Sequence, residues 1–235
     1  MRPVSQVLVC LVWIVLVFYW TTRPPMPPPS FPENDALSPS REVYNPGLAA
    51  ALDQGLRDFW QKPDQVLDAL GDLEGLTVAD IGAGEGYFTL RLLDRVGPSG
   101  MVYANDIQPS VLEALNERIP TEFRNRVQLI LGQEDRTRIT APVDLILLIQ
   151  VFGEVANQRT FLQHLSTLMH EDSRLVIIDS KHVTDPESGF TRPLDLQRLM
   201  TELNQEGFVH ARDHNPADFD FLPKQFFFVL ERRDL

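Results

Sequence analysis

The segment Thr77-Val78-Ala79-Asp80-Ile81-Gly82-Ala83-Gly84-Glu85-Gly86-Tyr87-Phe88 constrains the fold more than any other part of this 235-residue chain. It reads as an apolar strand running into a glycine loop and then a helix start, the kind of turn at which open α/β sheets take ligands. Glycine permits a sharp turn there and lets a ligand lie against bare main chain near a helix N-terminus. The spacing is Gly-x-Gly-x-Gly. The dinucleotide fingerprint would need glycine where Tyr87 stands, and no Walker phosphate loop is present, so a nicotinamide-dependent oxidoreductase is disfavoured. Asp106 stands 20 residues after Gly86. It ends the next strand-like run, the position from which a carboxylate accepts hydrogen bonds from ribose hydroxyls.

Around this turn the chain alternates between helix and strand, which predicts a doubly wound α/β sheet of seven strands. Strand-like runs lie at Leu76 to Ile81, Met101 to Asn105, Val127 to Leu131, Val143 to Ile149 and Arg174 to Asp179. Helices are expected at 46–60, at 63–70 with Pro63 in the first turn, and at 87–95, 109–118, 157–169 and 192–205. Gly207 to His214 and Gln225 to Arg232 follow one another without a helix between them. Two such strands form an antiparallel pair, so the sheet is expected to close with an antiparallel last strand.

The beginning of the chain is different in kind. Pro3 to Thr22 is 20 residues without a charge, and the 14 from Val7 to Trp20 are all apolar or aromatic. A helix of that length reaches about 30 Å, the thickness of a bilayer's hydrocarbon core. No small-x-small cleavage site follows Trp20, and Phe18, Tyr19 and Trp20 put amphipathic rings where a helix leaves the lipid. Residues 1–22 are therefore expected to be an uncleaved single-pass transmembrane helix, with a cleaved signal peptide as the rival. Six prolines between Pro24 and Pro32 make residues 23–45 a semi-rigid linker in polyproline II. Residues 46–235 are the folded domain. Arg2 opposes Arg23 and Arg41, so the charge count does not fix which side of the membrane that domain occupies.

Charge and cysteine usage exclude several functions. The formal charge is −12, and every acidic residue lies at or after Glu33, so the folded part repels polyanions and a nucleic-acid partner is not expected. Cys10 is the only cysteine and lies in the apolar run, which leaves no cysteine zinc site and no cysteine nucleophile in the domain. His164, His170, His210 and His214 show no metal spacing, so no metal is expected. Arg118, Arg124, Arg126, Arg136 and Arg138 read as a solvated face.

With Asp80 before Gly-x-Gly-x-Gly and Asp106 closing the second strand, the sequence resembles the class I S-adenosylmethionine-dependent methyltransferases over about residues 59–231. The resemblance implies a Rossmann-like sheet and S-adenosyl-L-methionine as cofactor. It makes Asp80, Gly82, Gly84 and Gly86 the cradle for the cofactor's methionine part, with Asp106 on the ribose and Ile107 packed on the adenine. After the third strand the family often has glycine and then an acidic residue for the adenine amino group. Here the order is Gly132-Gln133-Glu134-Asp135, so the family's acidic position is Gln133 and the role passes to Glu134 or Asp135. More narrowly, Phe59-Trp60-Gln61-Lys62-Pro63, the core Val78 to Phe88, Gly97 to Asp106 and Leu222-Pro223-Lys224-Gln225-Phe226 resemble a bacterial subgroup of small-molecule type.

That subgroup usually shows an aromatic residue, a histidine and a glutamate after strand four, near the transferring methyl group. This chain has Phe152-Gly153-Glu154, without the histidine. Glu154 and His182 are the catalytic candidates, and Tyr87, Phe152 and Gln225 are expected to line the acceptor space with them. Ile149-Gln150-Val151-Phe152 lacks the Asn/Asp-Pro-Pro-aromatic motif of enzymes that methylate base amino groups or glutamine amides. The expected activity is a membrane-tethered methyl transfer to a small-molecule or lipid-like acceptor. The alternative is a non-catalytic tethered domain of the same fold that binds the cofactor or a partner, for which Gly153 is the supporting residue.

Overall fold

The computed structural model describes residues 57–184, 191–213 and 220–233. The expected membrane span, the linker, most of the 46–60 helix and His214 lie outside them. Among the described residues no helix is long and apolar enough to cross a membrane.

Residues 57–61 are helical and lead into α1 (Pro63–Ala69), which proline opens as the sequence predicts. The elements that follow are β1 (Thr77–Ile81), α2 (Thr89–Arg95), β2 (Met101–Asp106), α3 (Pro109–Arg118), β3 (Val127–Leu131), β4 (Val143–Ile149), α4 (Gln158–Ser166) and β5 (Met169–Ser180). β6 (His182–Thr184), β7 (Thr191–Pro193), α5 (Leu196–Gln205), β8 (Phe208–His210) and β9 (Gln225–Arg232) complete the described part.

Seven strands form one sheet in the order β3-β2-β1-β4-β5-β9-β8. β1 pairs in parallel with β2 on one side and β4 on the other, so the strand order reverses at the end of β1. That reversal opens a crevice beyond the carboxyl ends of β1 and β4, the standard ligand position in open α/β sheets. β9 runs antiparallel to both neighbours, with Leu175 opposite Leu230, Ser180 opposite Gln225 and Phe208 opposite Arg232. Only β9 is reversed, because β8, being antiparallel to β9, points the same way as the first five strands.

The central strands are apolar on both faces because both are covered. On one face Val78, Leu145, Leu147, Val176, Ile178, Phe227 and Val229 pack with Val66 and Leu67 of α1 and Leu92 and Leu93 of α2. On the other, Ala79, Ile81, Ile146, Leu148, Leu175, Ile177 and Phe228 meet Phe161, Leu162 and Leu165 of α4 and Leu199 and Leu203 of α5.

Three expectations are corrected. The helix expected at 157–169 ends at Ser166, since Met169 already pairs with Val143 and begins β5, five residues before the expected strand start. The helix expected at 192–205 begins at Leu196, because Asp195 caps it through Oδ1, which accepts from Arg198 N at 3.0 Å. Thr191–Pro193 instead pairs antiparallel with His182–Thr184 in a separate two-stranded sheet. Among the described residues of the strand expected at 207–214, the ladder pairing covers Phe208–His210.

Candidate functional site

The three loop glycines all have left-handed backbones, with φ of 73° at Gly82, 54° at Gly84 and 87° at Gly86, and they do different work. A Cβ on Gly82 would come within 2.2 Å of a Val151 methyl, and one on Gly86 within 2.3 Å of Leu115 Cδ1. Those two glycines let the loop pack against the β4 turn and α3. A Cβ on Gly84 would meet nothing within 4 Å, so the main chain there borders open space. Gly82 N and Ala83 N both donate to Asn105 O, at 2.8 and 2.9 Å, which pins the loop to the end of β2. Asn105 is itself fixed, since Nδ2 donates to Ile130 O and Thr137 O.

Asp106 closes β2 beside that open main chain. Its Oδ2 accepts from Gly84 N and its Oδ1 from Gln108 N, each at 3.0 Å, so the carboxylate is oriented before any ligand arrives. Two oxygens with one bond each keep further lone pairs for hydroxyl donors. Gln108 Oε1 is buried without a partner. Ile107 is 49% exposed and Leu131, at the matching end of β3, is 42% exposed, so two apolar side chains flank this edge. Leu131 was not among the sequence candidates, although its place at a strand end was legible.

Asp80 is 3% exposed, and its Oδ2 accepts from Thr89 Oγ1 at 2.6 Å. Burial pushes its carboxyl pKa up to about 6, against the pull of the Thr89 hydroxyl and the Arg57 charge and with a push from Asp106. Thr89, which sequence reasoning missed, is therefore a partner of the first acidic residue.

Tyr87, expected in the acceptor space, is buried and committed elsewhere. Its hydroxyl donates to Asp58, and the guanidinium carbons of Arg57 and Arg91 lie 3.9 and 4.5 Å from its ring centre. Burial and the Asp58 carboxylate raise its phenol pKa. Tyr87 thus clasps residues 57–61 to the glycine loop.

The remaining candidates fall into two groups. Phe152 is buried in the core, on a short 3-10 turn (Phe152–Glu154). Glu154 is exposed on that turn, and the cap of α4 is Asn157, whose Oδ1 accepts from Thr160 N at 3.1 Å. Gln225 is buried at the carboxyl end of the sheet, where its Oε1 accepts from Gln61 Nε2 at 2.9 Å. Gln225 Nε2 and Gln61 Oε1 have no partner. Whichever way two amides are turned, a single bond between them leaves an oxygen on one and an NH2 on the other. His182 is exposed on β6, and among the described residues no group of three or more acidic, histidine or cysteine side chains is placed to hold a metal.

Gln133 and Glu134 are exposed past β3, and Gln133 N donates to Arg136 O at 2.8 Å to close a turn. Asp135 is held by Arg136 at 2.8 Å, which keeps its carboxyl below the usual range. Of the other expected surface arginines, Arg118 donates to Glu85 O, Arg124 to Asn116 O and Arg126 to Leu93 O.

A left-handed glycine loop over open space, an oriented carboxylate and a pair of exposed apolar residues suit a nucleoside-bearing ligand. Gly84, Asp106, Gln108, Ile107 and Leu131 are the residues that fit S-adenosylmethionine. Comparison with known proteins agrees. A family model described as a methyltransferase domain matches residues 72–215. A demethylmenaquinone methyltransferase of Lactococcus lactis is 25% identical over 130 residues, 55% of this chain and 51% of that protein. A probable (S)-tetrahydroprotoberberine N-methyltransferase 2 of Papaver bracteatum is 31% identical over 111 residues, 47% of this chain and 31% of that protein. The chain thus spans about half the length of one curated relative and about a third of the other. Among solved structures, a SAM-dependent methyltransferase from Aquifex aeolicus superposes with a TM-score of 0.62 at 24% identity, over 80% of this chain and 98% of that one. The seven-stranded order, the loop geometry and the family match over most of the described domain together establish that this chain belongs to the methyltransferase domain family.

Proposed function

We propose that the domain transfers a methyl group from S-adenosylmethionine to a small-molecule or lipid-like acceptor, and that residues 1–22 tether it to a membrane. The observation that carries the cofactor assignment is the open space over Gly84 beside an Asp106 already oriented by Gly84 N. When bound, S-adenosylmethionine supplies a methyl on a positively charged sulfur, which needs alignment more than acid-base help. Asp80 adds negative charge beneath the loop, Ile107 and Leu131 offer apolar surface to a base, and Gln61 and Gln225 present one acceptor and one donor at the far side. The small-molecule class is supported by the named activities of the curated relatives. The tether is supported by the uncharged run Pro3 to Thr22.

Isothermal titration with S-adenosylmethionine, S-adenosylhomocysteine and NADH tests the cofactor. The first two should bind and the third should not. Asp106→Ala should weaken S-adenosylhomocysteine by about tenfold to a hundredfold, the scale of losing hydrogen bonds to a charged acceptor. Arg136→Ala, which removes only an exposed ion pair, should leave it unchanged. Equal effects of the two substitutions contradict the assignment of Asp106. Cofactor binding without consumption of methyl-labelled donor, in cell extract or with the protein itself, would favour the non-catalytic alternative that Gly153 raises.

A further inference from the structure

We propose that Asp179 is the carboxylate that faces the transferring methyl group and that it selects an amine as acceptor, an inference that rests on the methyltransferase reading above. Asp179 is the next-to-last residue of β5, at the carboxyl end of the sheet, and main chain fixes both of its oxygens. Oδ2 accepts from Gly153 N at 2.9 Å and Oδ1 from Ser180 N at 2.7 Å. Each oxygen keeps a lone pair beyond those bonds. The β4 turn connects this carboxylate to the glycine loop. Val151 lies against Gly82 closely enough that a Cβ there would come within 2.2 Å of its methyl, and Gly153 follows two residues later.

A Cβ at position 153 would start 3.4 Å from Asp179 Oδ2, in van der Waals contact with it, so glycine keeps that oxygen clear of a side chain from this turn. A second observation points to a polar ligand at the same end of the sheet. Ser180, the neighbour of Asp179, pairs in register with Gln225, whose buried Nε2 has no partner. A preoriented carboxylate thus stands beside the turn that follows β4, at the edge of the crevice where the strand order reverses.

An anion held there favours an acceptor that arrives as an ammonium ion. Asp179 pairs with it and takes one of its protons. The freed nitrogen lone pair then forms the N–C bond while the methyl–sulfur bond breaks with its electron pair going to sulfur. The products are S-adenosylhomocysteine and the methylated ammonium, and Asp179 gives its proton to water.

Sinefungin tests this without knowledge of the natural acceptor, because it carries an ammonium group on carbon where the cofactor carries its methylsulfonium. Titrating the full chain in detergent with sinefungin and with S-adenosylhomocysteine gives an affinity ratio that reads the negative charge at that point. Asp179→Asn should lower the preference for sinefungin about tenfold and leave S-adenosylhomocysteine within about twofold. An unchanged ratio overturns the assignment of Asp179. If Asp179→Asn shows no cooperative melt, Gly153→Ala decides, since it keeps the acid and places a methyl over it, and the same fall is expected. Wild-type protein that binds neither ligand overturns the methyltransferase reading and this inference with it. Binding of S-adenosylhomocysteine with no change in the ratio overturns this inference alone.

Discussion

Asp80 sits where a charge is expensive, buried under the glycine loop with the Thr89 hydroxyl as its nearest partner. Its folded pKa of about 6 lies above the ordinary 3.8, so the native state holds the proton over a range in which the unfolded chain has lost it. Stability therefore falls as pH rises through that window and is flat above it. Asp80→Asn removes the cost. Its advantage over wild type should grow from near zero at about pH 4 to about 3 kcal/mol at pH 7, measured as denaturant midpoints of the cofactor-free protein. Cofactor affinity should fall in the same variant, since the charge that destabilises the free protein attracts a cationic ligand. The loop glycines separate in a similar way. Gly84→Ala places a side chain in open space at φ 54°, so it should cost about 1 to 2 kcal/mol of stability and remove S-adenosylhomocysteine binding. Gly86→Ala forces a methyl onto Leu115 and should cost more stability, by about 1 to 3 kcal/mol from overpacking alone. Equal melting losses in the two variants would contradict that division. These residues were legible because each lies within a continuous motif. Gln61, Thr89 and Asp179 were not read as site residues, because their partners are set by topology; Gln61 and Gln225 are 164 positions apart.

The central strands were the most legible elements. β1, β4 and the inner half of β5 are covered on both faces and so appear as short, mostly apolar runs rich in Val, Ile and Leu, interrupted by Asp80 in β1 and Asp144 in β4. The places where reading fails are polar and short. The first half of β5 is Met169-His170-Glu171-Asp172-Ser173, largely exposed, and it is a strand only because its backbone continues a pairing that Val143 begins. β6 and β7 are three residues each, and Pro193, which lies inside the helix expected at 192–205, ends β7 instead. Asp195 is the true start signal for α5. Asp195→Ala should cost about 1 kcal/mol, because it frees the Arg198 N–H at the head of a helix that buries Leu199 and Leu203. Chemical denaturation measures this. A loss of cofactor affinity as large as that of Asp106→Ala would show that the cap acts on the site and not on the helix alone.

At the scale of the whole chain, charge and apolarity are segregated. All 33 acidic residues lie at or after Glu33, and the only run fit to enter lipid lies before Arg23. A domain of that charge is repelled by an anionic surface, so the tether proposed here has to supply all of the attraction to the membrane. The two parts therefore predict opposite behaviour on vesicles. In flotation, the full chain should rise with neutral phosphatidylcholine vesicles, and the chain beginning at residue 46 should stay at the bottom. Adding anionic lipid should not recruit the shorter chain at low salt, where any hidden basic surface would act most strongly. Both forms should bind S-adenosylhomocysteine with the same affinity, because Gly84, Asp106 and Ile107 all belong to the shorter one. Flotation of the shorter chain would place a membrane-binding surface on the domain itself, where the exposed Phe59 and Trp60 are the apolar residues to substitute first. A full chain that stays at the bottom would remove the tether from the proposal while leaving the methyltransferase chemistry intact.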